Sequence, residues 1–255
     1  MHLADGAMYW AKSSGRNRTC LYSADSGFAL SAEEQAADAV REGLVNTVHA
    51  LAKAVDAKDG YTSMHSQRVG RYAAALARKL GLDEEQIDKI RTAGVLHDVG
   101  KIGISDAILQ KAATLDGDEW AIMRRHSELG HDIIAGASMH DIADFVLHLH
   151  ERWDGAGYPT GLAGEDIPLA SRILHVADAL EAMTSSRVYR EGMPVAQALV
   201  ELELCCGDQV DPVVTRALIE LVHSGELEVT GDDMTDEESE AAGVRAHASG
   251  VSAEL

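Results

Sequence analysis

The chain has little of several things that would each have settled its class. Cysteine occurs three times in 255 residues, an odd number, and Cys205 and Cys206 are adjacent. That is no disulfide framework, and it suits a reducing cytoplasm. There are 4 prolines, and aromatic residues make up 4%; with abundant Ala and Leu, this points to an all-helical build. No stretch approaches the ~18 apolar residues of a membrane span, and the N-terminus lacks the apolar stretch of a signal peptide. Cations are scarce, with 22 Lys and Arg against 42 Asp and Glu and a net charge of −20. Such a chain is no general binder of nucleic acid or of anionic membranes, although a few local cations could still hold a small phosphate ligand. Apolar content of 46% is ample for a core, in one large domain or one domain with appendages.

Gly94-Val95-Leu96-His97-Asp98-Val99-Gly100-Lys101 organises the rest. A helical pattern through Ile87, Ile90 and Leu96 leads into it. A helix ending at Gly100 puts His97 and Asp98 in its last turn, about 100° apart, able to grip one ion from two directions. Imidazole and carboxylate suit zinc, iron, manganese or nickel.

Other ionisable residues interrupt apolar patterns. Residues 31–34, Ser-Ala-Glu-Glu, form a capping-box signature that opens a helix. A second helix from about Thr62 carries Val69, Tyr72, Ala73, Leu76 and Leu80, with His65 on the same stripe. Asp83-Glu84-Glu85 opens the next. After Lys101 the chain is expected to leave regular structure. Asp116 to Glu119 caps a further helix with the stripe Ile122, Met123, His126, Leu129, Gly130 and Ile133. Ile142, Phe145, Val146, Leu149 and His150 form another, broken by the Gly-rich loop Asp154 to Gly161. Ser171 to Thr184 is helical, with Asp178 in its middle, a costly position unless paired or metal-bound. Two more helices fill Val195 to His223. From Asp232, seven acids face only Arg245, an acidic disordered tail.

Together these motifs resemble the HD-GYP domain, a helical metal-dependent phosphohydrolase of the HD type that opens cyclic di-GMP. They run in order as Asp59 to Val69, His97-Asp98-Val99-Gly100-Lys101, His126 to Gly130, Leu149 to Pro159, Asp178, and Arg187-Val188-Tyr189-Arg190. Residues 1–30 resemble the end of a GGDEF domain, in Ala4, Asp5, Ala7, Tyr9, Ala11, Lys12 and Gly15-Arg16-Asn17-Arg18. Without a catalytic loop they imply a remnant with no cyclase activity, at the end of a longer protein or a truncated product. The expected organisation is a remnant at 1–30, an all-α HD-GYP domain at 31–228 and an acidic tail at 229–255.

The resemblance implies two divalent ions, iron, manganese or similar. His65, His97, Asp98 and Asp178 match the ligands of the first, and Asp98 bridges to a second held by His126 and His150. Lys101 matches the catalytic lysine beside the phosphate, Tyr158 the pocket loop, and Arg187 and Arg190 the substrate's phosphate contacts. The implied activity is a cytoplasmic phosphodiesterase acting on cyclic di-GMP to give pGpG or onward GMP, with a GGDEF-type or other signalling protein as partner and no nucleic acid or membrane insertion. The alternative is a degenerate domain that binds the nucleotide or a partner with little turnover; a related HD phosphohydrolase acting on another nucleotide is the third reading.

There are two departures. Leu149 stands where the family has the first of two adjacent histidines, which implies a weaker second ion. On a helix, His148 would face away from His150 and could not replace it. Tyr61 stands where some members carry a glutamate for a third ion, so no trinuclear site is expected.

Overall fold

The computed structural model describes residues 43, 46, 47, 50–58, 64–111, 113–186 and 192–229. The 1–30 remnant, the capping box at 31–34, Tyr61, Arg187, Arg190 and the acidic tail lie outside the described residues. The chain divides between Ala50 and Leu51 into two compact units, and four residues of the first are described, all helical.

The second unit is built of helices. Residues 51–58 are helical, followed by α1 (His65–Lys79), α2 (Glu84–Leu96), a 3-10 turn (Val99–Gly103), α3 (Asp106–Leu109), α4 (Gly117–Arg124), α5 (His126–Gly136) and α6 (His140–Leu147). A second 3-10 turn (Gly164–Asp166) precedes α7 (Leu169–Thr184), α8 (Val195–Leu204) and α9 (Pro212–Ser224). Among the described residues there is no strand; one isolated bridge joins Cys206 to Val210.

The starts follow the sequence closely. Asp83 and Gln86 exchange side-chain and backbone bonds in a capping box at α2, and Asp116 and Glu119 do the same at α4. Asp211 caps α9, with Pro212 at its first position. Val69, Tyr72, Ala73 and Leu76 of α1 pack in the core with Ile87, Ile90 and Leu96 of α2 and Ile173, Leu174 and Leu180 of α7.

The α1–α2 crossing is unusually close. A Cβ on Gly94 would stand 2.6 Å from the Gly70 Cα, and one on Gly70 would stand 2.8 Å from the Arg91 carbonyl oxygen. Glycine at both positions lets the two backbones touch, five residues after His65 and three before His97.

The structure corrects four details. First, α2 ends at Leu96, not Gly100. The His97 ring bonds the Gly94 carbonyl at 2.8 Å, and Lys101 N turns back to Asp98 O, so the backbone tightens into the 3-10 turn. Second, the segment after Lys101 stays regular, through the rest of that turn and α3. Third, the stripe from Ile122 to Ile133 belongs to two helices. Arg125 N bonds Ile122 O, one residue short of the α spacing, and none of α4 is buried, with Trp120 46% and Ile122 40% exposed. Fourth, α6 stops at Leu147, which leaves His148 to His150 in a turn.

Candidate metal centre

Five elements deliver the ionisable residues to one place. His65 is the first residue of α1, His97 caps α2, His126 opens α5, His150 follows α6, and Asp178 is mid-α7. The first four named as metal ligands of one ion come together. His65 Nε2 and His97 Nε2 are 3.3 Å apart. Asp98 Oδ2 lies 3.2 Å from His97 Nε2 and 3.9 Å from His65 Nε2. Asp178 Oδ1 lies 3.6 and 3.7 Å from the same two nitrogens. One ligand atom from each of His65, His97 and Asp98 lies within 4.8 Å of the others.

The second group sits beside it. His126 Nε2 and His150 Nε2 are 3.0 Å apart, and His126 Nε2 is 3.9 Å from Asp98 Oδ1. Asp98 therefore offers one oxygen to each pair of imidazoles. Lys101 Nζ donates to Asp98 Oδ2 at 2.7 Å. Tyr158 stacks on His150, with centroids 5.0 Å apart, and the Arg124 guanidinium lies 5.2 Å from the Tyr158 ring.

The outer nitrogens decide what the inner ones can do. The Nδ1 atoms of His97 and His126 bond the carbonyls of Gly94 and Met123, and His65 Nδ1 bonds the Glu181 carboxylate. A carbonyl or carboxylate only accepts, so each of these Nδ1 atoms carries a proton and each Nε2 faces inward. Ring nitrogens facing each other at 3.0–3.3 Å need a proton or a metal cation between them. Three buried imidazoles, a shared carboxylate and a second carboxylate are the donor set of a divalent transition metal, and the residues fit such an ion.

The electrostatics agree. Burial pushes His126 and His150 down, keeping them neutral. Burial also works to lower His97, but Asp98 beside it outweighs this and pushes it up to about 9. Against its own burial, Asp98 is held well below the usual carboxylate range by His97 and Lys101. The Asp98 corner thus attracts positive charge, a proton or a metal ion.

Sequence reading missed the supporting layer. Buried Glu181 accepts from Arg68 Nε at 2.9 Å and Ser185 Oγ at 2.6 Å besides holding His65. The signal was there in the i, i+3 spacing of Asp178 with Glu181 and of His65 with Arg68, which puts each pair on one helix face. Glu181→Gln should lower metal affinity by about 10- to 100-fold while the helices stay folded, since an outer partner that fixes a ligand ring has effects of that size. Calorimetric titration with Mn²⁺ checks this, and unchanged affinity would refute it.

Leu149 is 1% exposed and fully buried. His148 turns toward Glu151, 3.6 Å away, and Thr160, so it does not supply the missing imidazole. Glu151 in turn accepts from Thr160 N, Thr160 Oγ1 and Gly161 N, which fixes the loop carrying Tyr158.

The profile of the HD domain family matches residues 49–214. The chain belongs to the HD domain family. Among curated relatives, this HD domain chain is 40% identical over 197 residues to the cyclic di-GMP phosphodiesterase response regulator RpfG of Xanthomonas campestris, covering 75% of this chain and 52% of that one. It is 39% identical over 184 residues to 3'3'-cGAMP-specific phosphodiesterase 2 of Vibrio cholerae, with 71% and 35% covered. It thus spans about half the length, or less, of these curated relatives. Its fold resembles the crystal structure of the Vibrio cholerae cyclic GMP-AMP specific phosphodiesterase V-cGAP3, with a TM-score of 0.59 and 21% identity over 73% of this chain and 51% of that one. The all-helical HD fold expected from the sequence is what the structure has. No described helix is long and apolar enough to cross a membrane.

Proposed function

We propose that the chain is a metal-dependent phosphodiesterase that opens cyclic di-GMP to pGpG or onward to GMP. The observation that carries this reading is Asp98 set between two imidazole pairs with Lys101 on its oxygen. His65, His97, Asp98 and Asp178 would hold one ion, and His126, His150 and Asp98 the other. Two such ions would supply hydroxide near neutral pH and offset the charge on the attacked phosphate. Asp98 would hold the two positions in register. Lys101 Nζ, 2.7 Å from Asp98, is placed to meet a phosphate oxygen at the same corner. Tyr158, backed by His150, walls the site. Arg187 and Arg190 would take the substrate's other phosphate. Relatives named for cyclic di-GMP and for 3'3'-cGAMP support a 3',3'-linked cyclic dinucleotide as the substrate class. This reading goes with a cytoplasmic setting and a GGDEF-type or other signalling protein as partner.

The test is hydrolysis of cyclic di-GMP and of 3'3'-cGAMP by protein loaded with Mn²⁺ or Fe²⁺, with metal content measured on the same sample. Loaded protein that cleaves neither nucleotide would sink the reading. Binding without cleavage would favour the second reading, a degenerate nucleotide-binding domain, which Leu149 supports.

Leu149 also sets an expectation about occupancy. The first ion's four ligands are all present, whereas the second lacks an imidazole, so titration should give one tight and one weaker site. Leu149→His puts an imidazole into an apolar position and should lower metal-free stability by roughly 2–4 kcal/mol. Where the new ring reaches the second ion, metal restores that loss. The Mn²⁺-induced rise in Tm should therefore be larger in Leu149→His than in the wild type, with second-site occupancy and hydrolysis rising together. An equal rise in Tm in both proteins would show that Leu149 is not the missing ligand.

A further inference from the structure

Lys58 ends the helical residues 51–58 and touches none of the proposed metal ligands, yet its ammonium is surrounded by the backbone that follows them. Nζ donates to the carbonyl oxygens of Ile104 at 2.7 Å, Ile102 at 3.2 Å and Lys101 at 3.5 Å. Asp106 Oδ1 lies 3.5 Å away. The Lys58 carbonyl is held in turn by Gln110 Nε2 at 3.0 Å. An ammonium has three protons and no acceptor, so a cradle of three carbonyls and a carboxylate uses its capacity in full.

The cradle closes the end of the 3-10 turn. Carbonyls at a helix end lack partners within the helix, and a 3-10 turn of five residues is weak by itself. Its first residues follow Asp98, and Lys101 sits in its middle. The carbonyl of Lys101 accepts from both Ile104 N and Lys58 Nζ, while its side chain bonds Asp98. Moving that backbone would swing the Lys101 ammonium off Asp98.

We infer that Lys58 is a positioning residue for Lys101: it clamps the 3-10 turn so that the Lys101 ammonium stays at the Asp98 corner. This rests on the phosphodiesterase reading above. Misplacing a reacting or charge-stabilising group by about 1 Å costs up to ~100-fold, and loss of the clamp is expected to act on kcat more than on KM.

The test uses the full chain loaded with Mn²⁺ and four variants: Lys58→Met, Lys58→Arg, Lys101→Met, and Lys58→Met with Lys101→Met. Lys58→Met should lower kcat by about 10- to 100-fold with KM changed less than about threefold and bound metal unchanged. Lys58→Arg keeps donors for the carbonyls and should regain part of the loss. In the Lys101→Met background, Lys58→Met should cost nothing further, because a residue acting through Lys101 has nothing left to position. In the metal-free protein, amide exchange at Ile104 should be faster in Lys58→Met, a readout independent of turnover. Losses that multiply in the double variant, metal lost in step with activity, or Lys58→Met with wild-type kcat would each overturn the inference. Should Lys58→Met not fold, Lys58→Gln carries the same comparisons. An inactive, metal-loaded wild type overturns both readings, whereas an active wild type indifferent to Lys58 overturns this one alone.

Discussion

Asp98→Ala is expected to abolish hydrolysis of cyclic di-GMP, by about 1,000-fold or more, the scale on which removing a group that organises transition-state electrostatics is felt. Among the described residues, Asp98 is the one carboxylate that faces both imidazole pairs, with Oδ2 toward His97 and Oδ1 toward His126. Its removal takes a ligand from each proposed ion. It also leaves Lys101 and His97 without their shared counter-charge in a buried corner, and breaking a buried pair from one side costs roughly 3–5 kcal/mol. Both effects should appear together: metal content near zero and a lower unfolding midpoint without metal. Asp98→Asn keeps the shape but not the charge, and should lose metal with a smaller loss of stability. If Asp98→Ala retains both ions and measurable turnover, the two-ion reading fails.

Gly100→Ala should be the most damaging small change to the fold. A Cβ at Gly100 would stand 1.9 Å from the His126 carbonyl oxygen and 2.5 Å from Gly130 N. Both are backbone atoms that cannot rotate away. The 3-10 turn and α5 would have to separate, and with them Asp98 and His126. A loss of about 4 kcal/mol or more is expected, a size reserved for steric insults of this kind. Gly136, at the end of α5, has nothing within 4 Å of its Cβ position. Gly136→Ala should instead add about 0.4–1 kcal/mol by reducing the freedom of the unfolded chain. Urea unfolding of the two variants measures both. Equal stabilities would contradict the close packing of turn on helix.

The helices were legible because two local codes agreed. Apolar spacing marked the faces of α1, α2 and α7, and Asp83 and Asp116 marked starts that do not depend on tertiary context. The ends and breaks were not legible, because they depend on side chains that capture backbone carbonyls. The His97 ring takes Gly94 O and the His126 ring takes Met123 O, and the helices stop or tighten where those rings turn inward. A periodicity count sees a histidine on an apolar stripe and continues the helix. The candidate ligands were legible as ionisable residues at apolar positions, and the structure gathers His65, His97, Asp98, His126, His150 and Asp178 at one centre. Lys58 was not, since a lysine at a helix end looks like solvated surface, and Glu181 was marked only by its spacing from Asp178. Only the distant partners, His65 with Arg68 and the carbonyls of Lys101, Ile102 and Ile104, give them roles.

The contact of Gly70 with Gly94 has a mechanical consequence. Backbone laid directly on backbone scarcely compresses, so the α1 and α2 backbones that carry His65 and His97 behave like the jaws of a caliper locked at one setting. Fitting a larger or smaller cation would fall to the two side chains and not to the helices. The donor atoms alone would rank copper(II) above iron or manganese, but a locked caliper sorts cations by radius as well as by chemistry. In the proposed centre, a crossing of two helices with no side chain between them would thereby take part in choosing the ion.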